Sequence, residues 1–292
     1  MRGAGSERSL EAQVAATLAI QADEILLVAA SGGPDSTALA SLAASAARAA
    51  GGRVELGHVN HGVRTSAEQD EAVTLATGAA LGLRVRCAYV RGAPSDEASL
   101  REARYAALAS LARVAGAARV ATAHHAEDQT ETVLLALFRG TGPAGLAGMP
   151  PVRALGEGLE LVRPLLRVEP ARLRAYAERA HLPFALDPTN RDPRYRRNAV
   201  RAALAALRGD FPHLDEAVAR CAELVREELA PTARGRTRAG LQAALRAAGL
   251  GRDLTFERLE AATKALESGV RGRVHLRRDV ELVIGGSDEP GG

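Results

Sequence analysis

Two short stretches of this chain carry residue types whose spacing suits phosphate chemistry. The first is Ser31-Gly32-Gly33-Pro34-Asp35-Ser36-Thr37, which follows the apolar run 24–30 and precedes an alanine-rich helical pattern. A glycine turn between a buried strand and a helix leaves the first helical N–H groups without backbone partners. It also aims the positive end of the helix dipole at the gap, and such a gap attracts phosphate or pyrophosphate. Gly32 and Gly33 lack the Cβ atoms that would hold a phosphate off the backbone, and Ser31, Ser36 and Thr37 carry hydroxyl donors. Asp35 implies a cation. A carboxylate beside a polyphosphate is repulsive without a divalent ion between them, and magnesium is the ion expected. The second stretch is His124-His125-Ala126-Glu127-Asp128-Gln129-Thr130-Glu131. Asp128 and Glu131 lie three residues apart at the start of a helix and so share a face. With Asp35 opposite, they form a candidate magnesium site for a triphosphate. His124 and His125 lack cysteine partners and an HExxH spacing, so contact with phosphate or an orienting part suits them better than metal ligation.

The elements that must position these residues alternate. A helix is expected over 9–21, then a strand over 24–30, the glycine turn and a helix through about Ala50. Further strands are expected at Val54–Val59, Arg86–Val90, Arg119–Ala123 and Leu159–Val162, separated by helices. Strands alternating with helices predict a parallel sheet covered on both faces, an α/β doubly wound fold, with ligands at the carboxyl ends of the strands. The glycine turn ends the first strand, Asn60-His61 the second and His124-His125 the fourth, so all three should converge on one crevice. From Glu169 onward the pattern is mainly helical, and Pro212 marks a boundary. Residues 1–211 are read as the catalytic domain. Residues 212–292 are read as a smaller, mainly helical domain in contact with RNA. Helices are expected in it at about 213–229, 238–248 and 255–267, then a hairpin over Val274–Ile284 and a disordered tail.

Composition narrows the class. At 292 residues and 47% hydrophobic, the chain can bury a large core. No run approaches the roughly 18 apolar residues of a membrane span, and the first residues do not read as a signal peptide, so the expectation is a cytoplasmic protein with no membrane partner. Cys87 and Cys221 form no CxxC pair, which argues against a disulfide framework or a cysteine-held metal or iron–sulfur site. Lys264 is the sole lysine, so the glycine turn is not a GxxxxGK[ST] loop. Positive charge is concentrated: from Arg163 to Asp210 there are 11 arginines against 5 acids, while residues 1–135 hold 12 basic and 15 acidic residues. A basic middle points to a polyanion, with RNA the natural candidate.

SGGPDST directly after a buried strand resembles the pyrophosphate loop of the N-type ATP pyrophosphatases, which cleave ATP to AMP and pyrophosphate. Taken with GHVNHGVR, LREARY, ATAHHAEDQTETVLLALFRGTGPAGLAGM, VRPLL and DPTNRDPRYRRNAVR, in that order and spacing, the chain over about 22–208 resembles the tRNA(Ile)-lysidine synthetase family. The resemblance implies the adenine nucleotide α-hydrolase-like fold. It implies a ligase that adenylates the wobble cytidine of tRNA(Ile) with a CAU anticodon, after which free L-lysine displaces AMP. It assigns ATP to Ser31, Gly32, Gly33, Pro34, Asp35 and Ser36, and magnesium and catalysis to Asp35, Asp128 and Glu131. RNA contacts are expected from Arg101, Arg104, Arg139, Arg197 and Arg201, because guanidinium forks suit phosphate oxygens. A homodimer is compatible with the sequence. Glu127 departs from the family's usual HHxDDQ, in which an aspartate stands at that position. Three other readings compete. A cytidine thiolase of the same fold would want the missing CxxC pairs, an amidotransferase synthetase would want a glutaminase segment, and a non-catalytic RNA-binding module would not need Asp35, Asp128 and Glu131.

Overall fold

The computed structural model describes residues 3–60, 67–90, 97–185, 196–229, 241, 261–265, 272–277 and 280–284. The chain packs as two compact units, Met1–Leu135 with Gly148–Ala219, and Ala136–Ala147 with Arg220–Gly292.

The first unit is built on β1 (Ile25–Ala29), whose Leu26, Leu27 and Val28 are wholly buried. A strand apolar on successive residues has to be covered on both faces. Leu26 and Val28 pack with α1 (Gly3–Leu18), α2 (Pro34–Ala50) and α7 (Pro170–Arg179), whereas Leu27 packs with Leu108 and Ala112 of α4 (Glu97–Ala115). Alanines 38, 40, 43 and 47 line the buried side of α2 and let it lie close to the sheet. The helix ends at Gly51, in the left-handed region at φ 78°, whose N–H returns to the Ala47 carbonyl.

Four more strands lie parallel to β1. They are β2 (Arg53–Asn60), β3 (Arg84–Tyr89), β4 (Arg119–Ala121) and β6 (Leu159–Val162), with α3 (Ala67–Leu81) joining β2 to β3. The sheet order is β3-β2-β1-β4-β6-β5. From β1 the chain runs outward one way through β2 and β3, then returns to the other side at β4. The gap between the carboxyl ends of β1 and β4 is therefore the switch point where ligands bind in such sheets. The wholly parallel sheet expected from the sequence is corrected at one edge, because β5 (Val152–Gly156) pairs antiparallel with β6. Its five residues alternate exposed with half-buried and carry an arginine and a glycine, so no apolar run announces it.

α5 (Ala126–Phe138) follows β4, α8 (Arg196–Asp210) lies in the first unit, and α9 (Leu214–Leu229) passes from the first unit to the second. In the second unit, α6 (Pro143–Leu146) is one turn long, and Arg226 of α9 donates to the Ala147 carbonyl at 2.6 Å. The hairpin is present as β7 (Gly272–Arg277) and β8 (Val280–Ile284). Of the helices expected at 238–248 and 255–267, only residues 241 and 261–265 fall within the described residues, and they are helical. The tail lies outside the described residues. Among those residues no helix is long and apolar enough to cross a membrane.

Candidate active site at the switch point

The glycine loop is held from several sides. Gly32 has φ +80°, and a Cβ placed on it would lie 2.9 Å from the Asp70 carbonyl oxygen on α3. Glycine is thus demanded by the backbone angle and by the approach of α3, a constraint the sequence does not reveal. The Gly32 carbonyl accepts from the Ala185 N–H at 2.8 Å, and the Thr37 hydroxyl reaches the Pro183 carbonyl at 3.4 Å. The buried Ser36 hydroxyl donates to the Gly33 carbonyl at 3.0 Å and accepts from the N–H and hydroxyl of Ser31 at 3.2 and 3.1 Å. In this ligand-free arrangement both hydroxyls are engaged inside the protein and shape the cradle. Gly33 is the N-cap of α2, extended at φ −81° and ψ 164°, and no side chain caps the helix. Pro34 follows as the first helical residue and has no N–H to satisfy. The remaining donors at this end face the gap between β1 and β4, which is where a phosphate is most favoured.

Across that gap, His125 stands just before α5. Its N–H donates to Asp128 Oδ2 at 3.1 Å, so Asp128 caps the helix. The His125 Nε2 lies 3.4 Å from Asp128 Oδ2 and 3.7 Å from Asp35 Oδ2, while its Nδ1 is sealed from solvent without a hydrogen bond. Asp35 and Asp128 therefore flank one imidazole nitrogen. Burial pushes the Asp35 carboxyl above its ordinary value; Asp128 and Glu127 add to the rise, while His125 and Arg201 oppose it. Two carboxylates held close in a desolvated pocket favour a proton or a cation between them. Magnesium is commonly held by one or two carboxylates and completed by phosphate oxygens and water, and Asp35 with Asp128 fit that demand.

Glu131 behaves differently. Its side chain is 0% exposed, and Arg201 of α8 grips it with two bonds, Nε to Oε1 at 2.7 Å and Nη2 to Oε2 at 3.1 Å. Asp128 and Glu131 share a face, as expected from their spacing, and Arg201 spans both, its Nη2 3.9 Å from Asp128 Oδ1; but Asp128 also meets His125 beside Asp35, whereas the buried Glu131 carboxylate is taken up by Arg201, 70 residues away. Among the described residues no group of three or more His, Cys, Asp or Glu side chains is arranged to hold a metal ion. Glu127, the departure from the family pattern, lies 3.3 Å from Arg208, which also holds Asp215 with two bonds at 2.7 and 2.9 Å. Sequence reasoning misses Arg208, although its place two turns after Arg201 on one face of α8 is a usable signal.

The paired histidines diverge. His124 is half-buried with its Nδ1 2.9 Å from the Thr122 hydroxyl, and desolvation first, then Arg163, Arg104 and Arg101, hold its pKa down to about 3 against the opposing pull of Asp128. Arg101 and Arg104 of α4 stack over the Tyr105 ring at 5.6 and 5.9 Å. Arg139 belongs to the second unit, where it is exposed. Arg197 starts within α8, but its side chain lies outside the described residues, as does His61.

Comparison with known proteins shows the family. Residues 6–207 match the PP-loop domain family. The tRNA(Ile)-lysidine synthase of Methylobacterium sp. is 39% identical over 276 residues, covering 89% of this chain and 79% of that one. The chain belongs to the tRNA(Ile)-lysidine synthase family. The synthases of Ralstonia nicotianae (40% identical, 80% of this chain and 56% of the relative) and Bordetella bronchiseptica (45%, 69% and 61%) are also similar. This chain thus spans less than two thirds of the length of most of these relatives. The solved U34-tRNA thiolase of Methanococcus maripaludis with its [4Fe-4S] cluster shares the fold, with a TM-score of 0.64 at 16% identity over 75% of this chain and 78% of that one.

Proposed function

We propose that this chain is a cytoplasmic ATP-dependent carbon–nitrogen ligase that joins free L-lysine to C2 of the wobble cytidine of tRNA(Ile) with a CAU anticodon. The observation that carries the reading is the convergence of Asp35 and Asp128 on His125 beside an uncapped glycine loop, at the switch point of the sheet. In the first step the cytosine C2 oxygen attacks the α-phosphate of ATP and pyrophosphate leaves. In the second the lysine amine attacks C2 and AMP leaves.

Such a transfer asks the protein mainly for in-line positioning and charge neutralisation. The N–H groups at the start of α2 hold the departing pyrophosphate, and the hydroxyl of Ser36 keeps the loop open for it. Asp35 and Asp128 would hold magnesium, which would screen the phosphate charge. His125 keeps both carboxylates aimed at the gap, since its Nε2 faces the pair. Glu131 acts through Arg201, which keeps 34% of its side chain exposed and can offer a further N–H to RNA while its other donors stay anchored. Residues 1–211 carry the catalysis, and residues 212–292 add RNA contact.

The test is incubation with ATP, magnesium, labelled lysine and an unmodified tRNA bearing CAU. Label should enter RNA with matching release of AMP, and both should vanish in Asp35→Ala. AMP release without lysine incorporation would assign a different nucleophile, and no ATP cleavage with any RNA would refute an enzyme altogether.

A further inference from the structure

Three sequence motifs are not used by the site above: Tyr105 of LREARY, Gln129 of HHAEDQ and Arg163 of VRPLL. They meet around one edge of the sheet. Gln129 clamps Met149 at both backbone atoms, accepting from its N–H at 2.8 Å and donating to its carbonyl at 3.0 Å. Arg163, only 3% exposed, donates from Nη1 to the Pro150 carbonyl at 2.7 Å, and its own N–H donates to the Pro151 carbonyl at 2.8 Å. Residues 149–151 are thereby fixed where they lead into β5. The strand then delivers Arg153 onto the face of Tyr105, its guanidinium carbon 4.6 Å from the ring centre. Together with Arg101 and Arg104, three guanidiniums share one aromatic platform.

This cluster is short of negative charge. Arg101, Arg153 and Arg163 form no ion pair among the described residues. The Tyr105 hydroxyl and the Arg163 side chain are both sealed from solvent and interact with each other. Burial would push the Tyr105 phenol up, yet the charges of Arg101, Arg163 and Arg104, with a hydrogen bond from Arg163, outweigh it and hold the phenol below its ordinary value. The register places Arg153 opposite Leu161, one residue from the carboxyl end of β6, so it sits on the same edge of the sheet as the crevice.

We propose that Arg153, seated on Tyr105 beside Arg101 and Arg104, is a binding residue for RNA phosphates, held in place by Arg163 and Gln129. The inference rests on the reading that the substrate is an RNA. Phosphate oxygens could come from RNA backbone or from ATP. The backbone is favoured because β5 stands three strand spacings, about 14 Å, from β1 and its glycine loop, further than the pyrophosphate cradled there extends. Guanidiniums stacked on a ring keep their planar edges free for phosphate, so stacking and phosphate contact do not compete.

The experiment measures binding of an unmodified anticodon stem-loop RNA with a CAU loop across a salt series, with no lysine or ATP present. Each phosphate contact contributes about 0.7 to 0.9 to the slope of log affinity against log salt. Arg153→Ala is expected to reduce the slope by that amount. Arg153→Lys and Tyr105→Phe should keep it, because charge and ring respectively remain. Arg174→Ala, an exposed arginine paired with Glu178 on α7, is the control for charge alone and should leave the slope unchanged. An unchanged slope in Arg153→Ala overturns the proposal. So does weaker binding of a non-hydrolysable ATP analogue with the RNA slope intact, since that outcome assigns the cluster to nucleotide. Lysine incorporation by the unaltered chain is measured separately. Its failure would sink the ligase reading while the slope still decided the phosphate contact.

Discussion

Replacing Arg201 by alanine should unfold the first unit more readily, before any effect on RNA is considered. The Glu131 carboxylate is completely buried, and Arg201 holds it with two bonds at 2.7 and 3.1 Å. Breaking a buried pair by removing one partner typically costs 3–5 kcal/mol, because an uncompensated charge stays behind. The arginine end is 34% exposed, so water can enter the vacated space and the lower limit applies, about 3 kcal/mol. With a urea slope of about 3 kcal/mol/M for a chain of this size, the midpoint of the first transition should fall by about 1 M. Arg201→Ala combined with Glu131→Leu removes both charges and should recover most of that loss, because an apolar replacement leaves nothing unpaired. Neither variant should regain lysine incorporation. The assay is urea unfolding followed by circular dichroism, with incorporation measured on the same preparations. A midpoint unchanged in Arg201→Ala, with activity lost, would refute the argument: Arg201 would then serve RNA alone, and the other contacts of Glu131 would suffice to hold its charge.

Gly32→Ala should destabilise the chain by about 1–3 kcal/mol, since the new Cβ meets the Asp70 carbonyl at 2.9 Å and the φ of +80° disfavours any side chain; thermal melting and ATP binding should fall together, and a normal melt would exclude the packing part of the explanation. Asp215 gives a pH prediction. Burial would raise its pKa, but the hydrogen bonds and charge of Arg208 win and hold it below the ordinary carboxylate range. A depressed folded pKa contributes stability that is complete above the unfolded value and is lost as the pH falls through the folded one. The stability gap between the unaltered chain and Arg208→Ala should therefore be widest near neutrality and shrink below about pH 4, as read by urea midpoints; a gap independent of pH would refute the pairing. Cys87→Ser with Cys221→Ser should keep full lysine incorporation, the half-buried and exposed thiols being outside the chemistry; loss of activity in the folded double variant would revive a sulfur-transfer reading.

Much of the fold was legible in the sequence because the decisive patterns are local. β1 is an unbroken apolar run that stops at two glycines, and a strand that must be covered on both faces, followed by a helix with proline at its start, has few other structures open to it. The motifs around the glycine turn and the paired histidines likewise bring Asp35, His125 and Asp128 into view from residue order alone. Tertiary structure decided what each group faces. Asp128 and Glu131 look equivalent on a helical wheel, and His124 and His125 look like a pair. Yet Glu131 takes two bonds from Arg201, which only approaches Asp128, and His124 is half-buried with its Nδ1 against the Thr122 hydroxyl. β5 was illegible because an edge strand needs no apolar face of its own, and Arg153 reaches Tyr105 only because that strand pairs antiparallel with β6. Sequence patterns record which face of an element is apolar, since burial acts on each residue where it stands. The partners of a charged side chain come from distant segments, and only the packed sheet and helices determine which of them lie within hydrogen-bond reach.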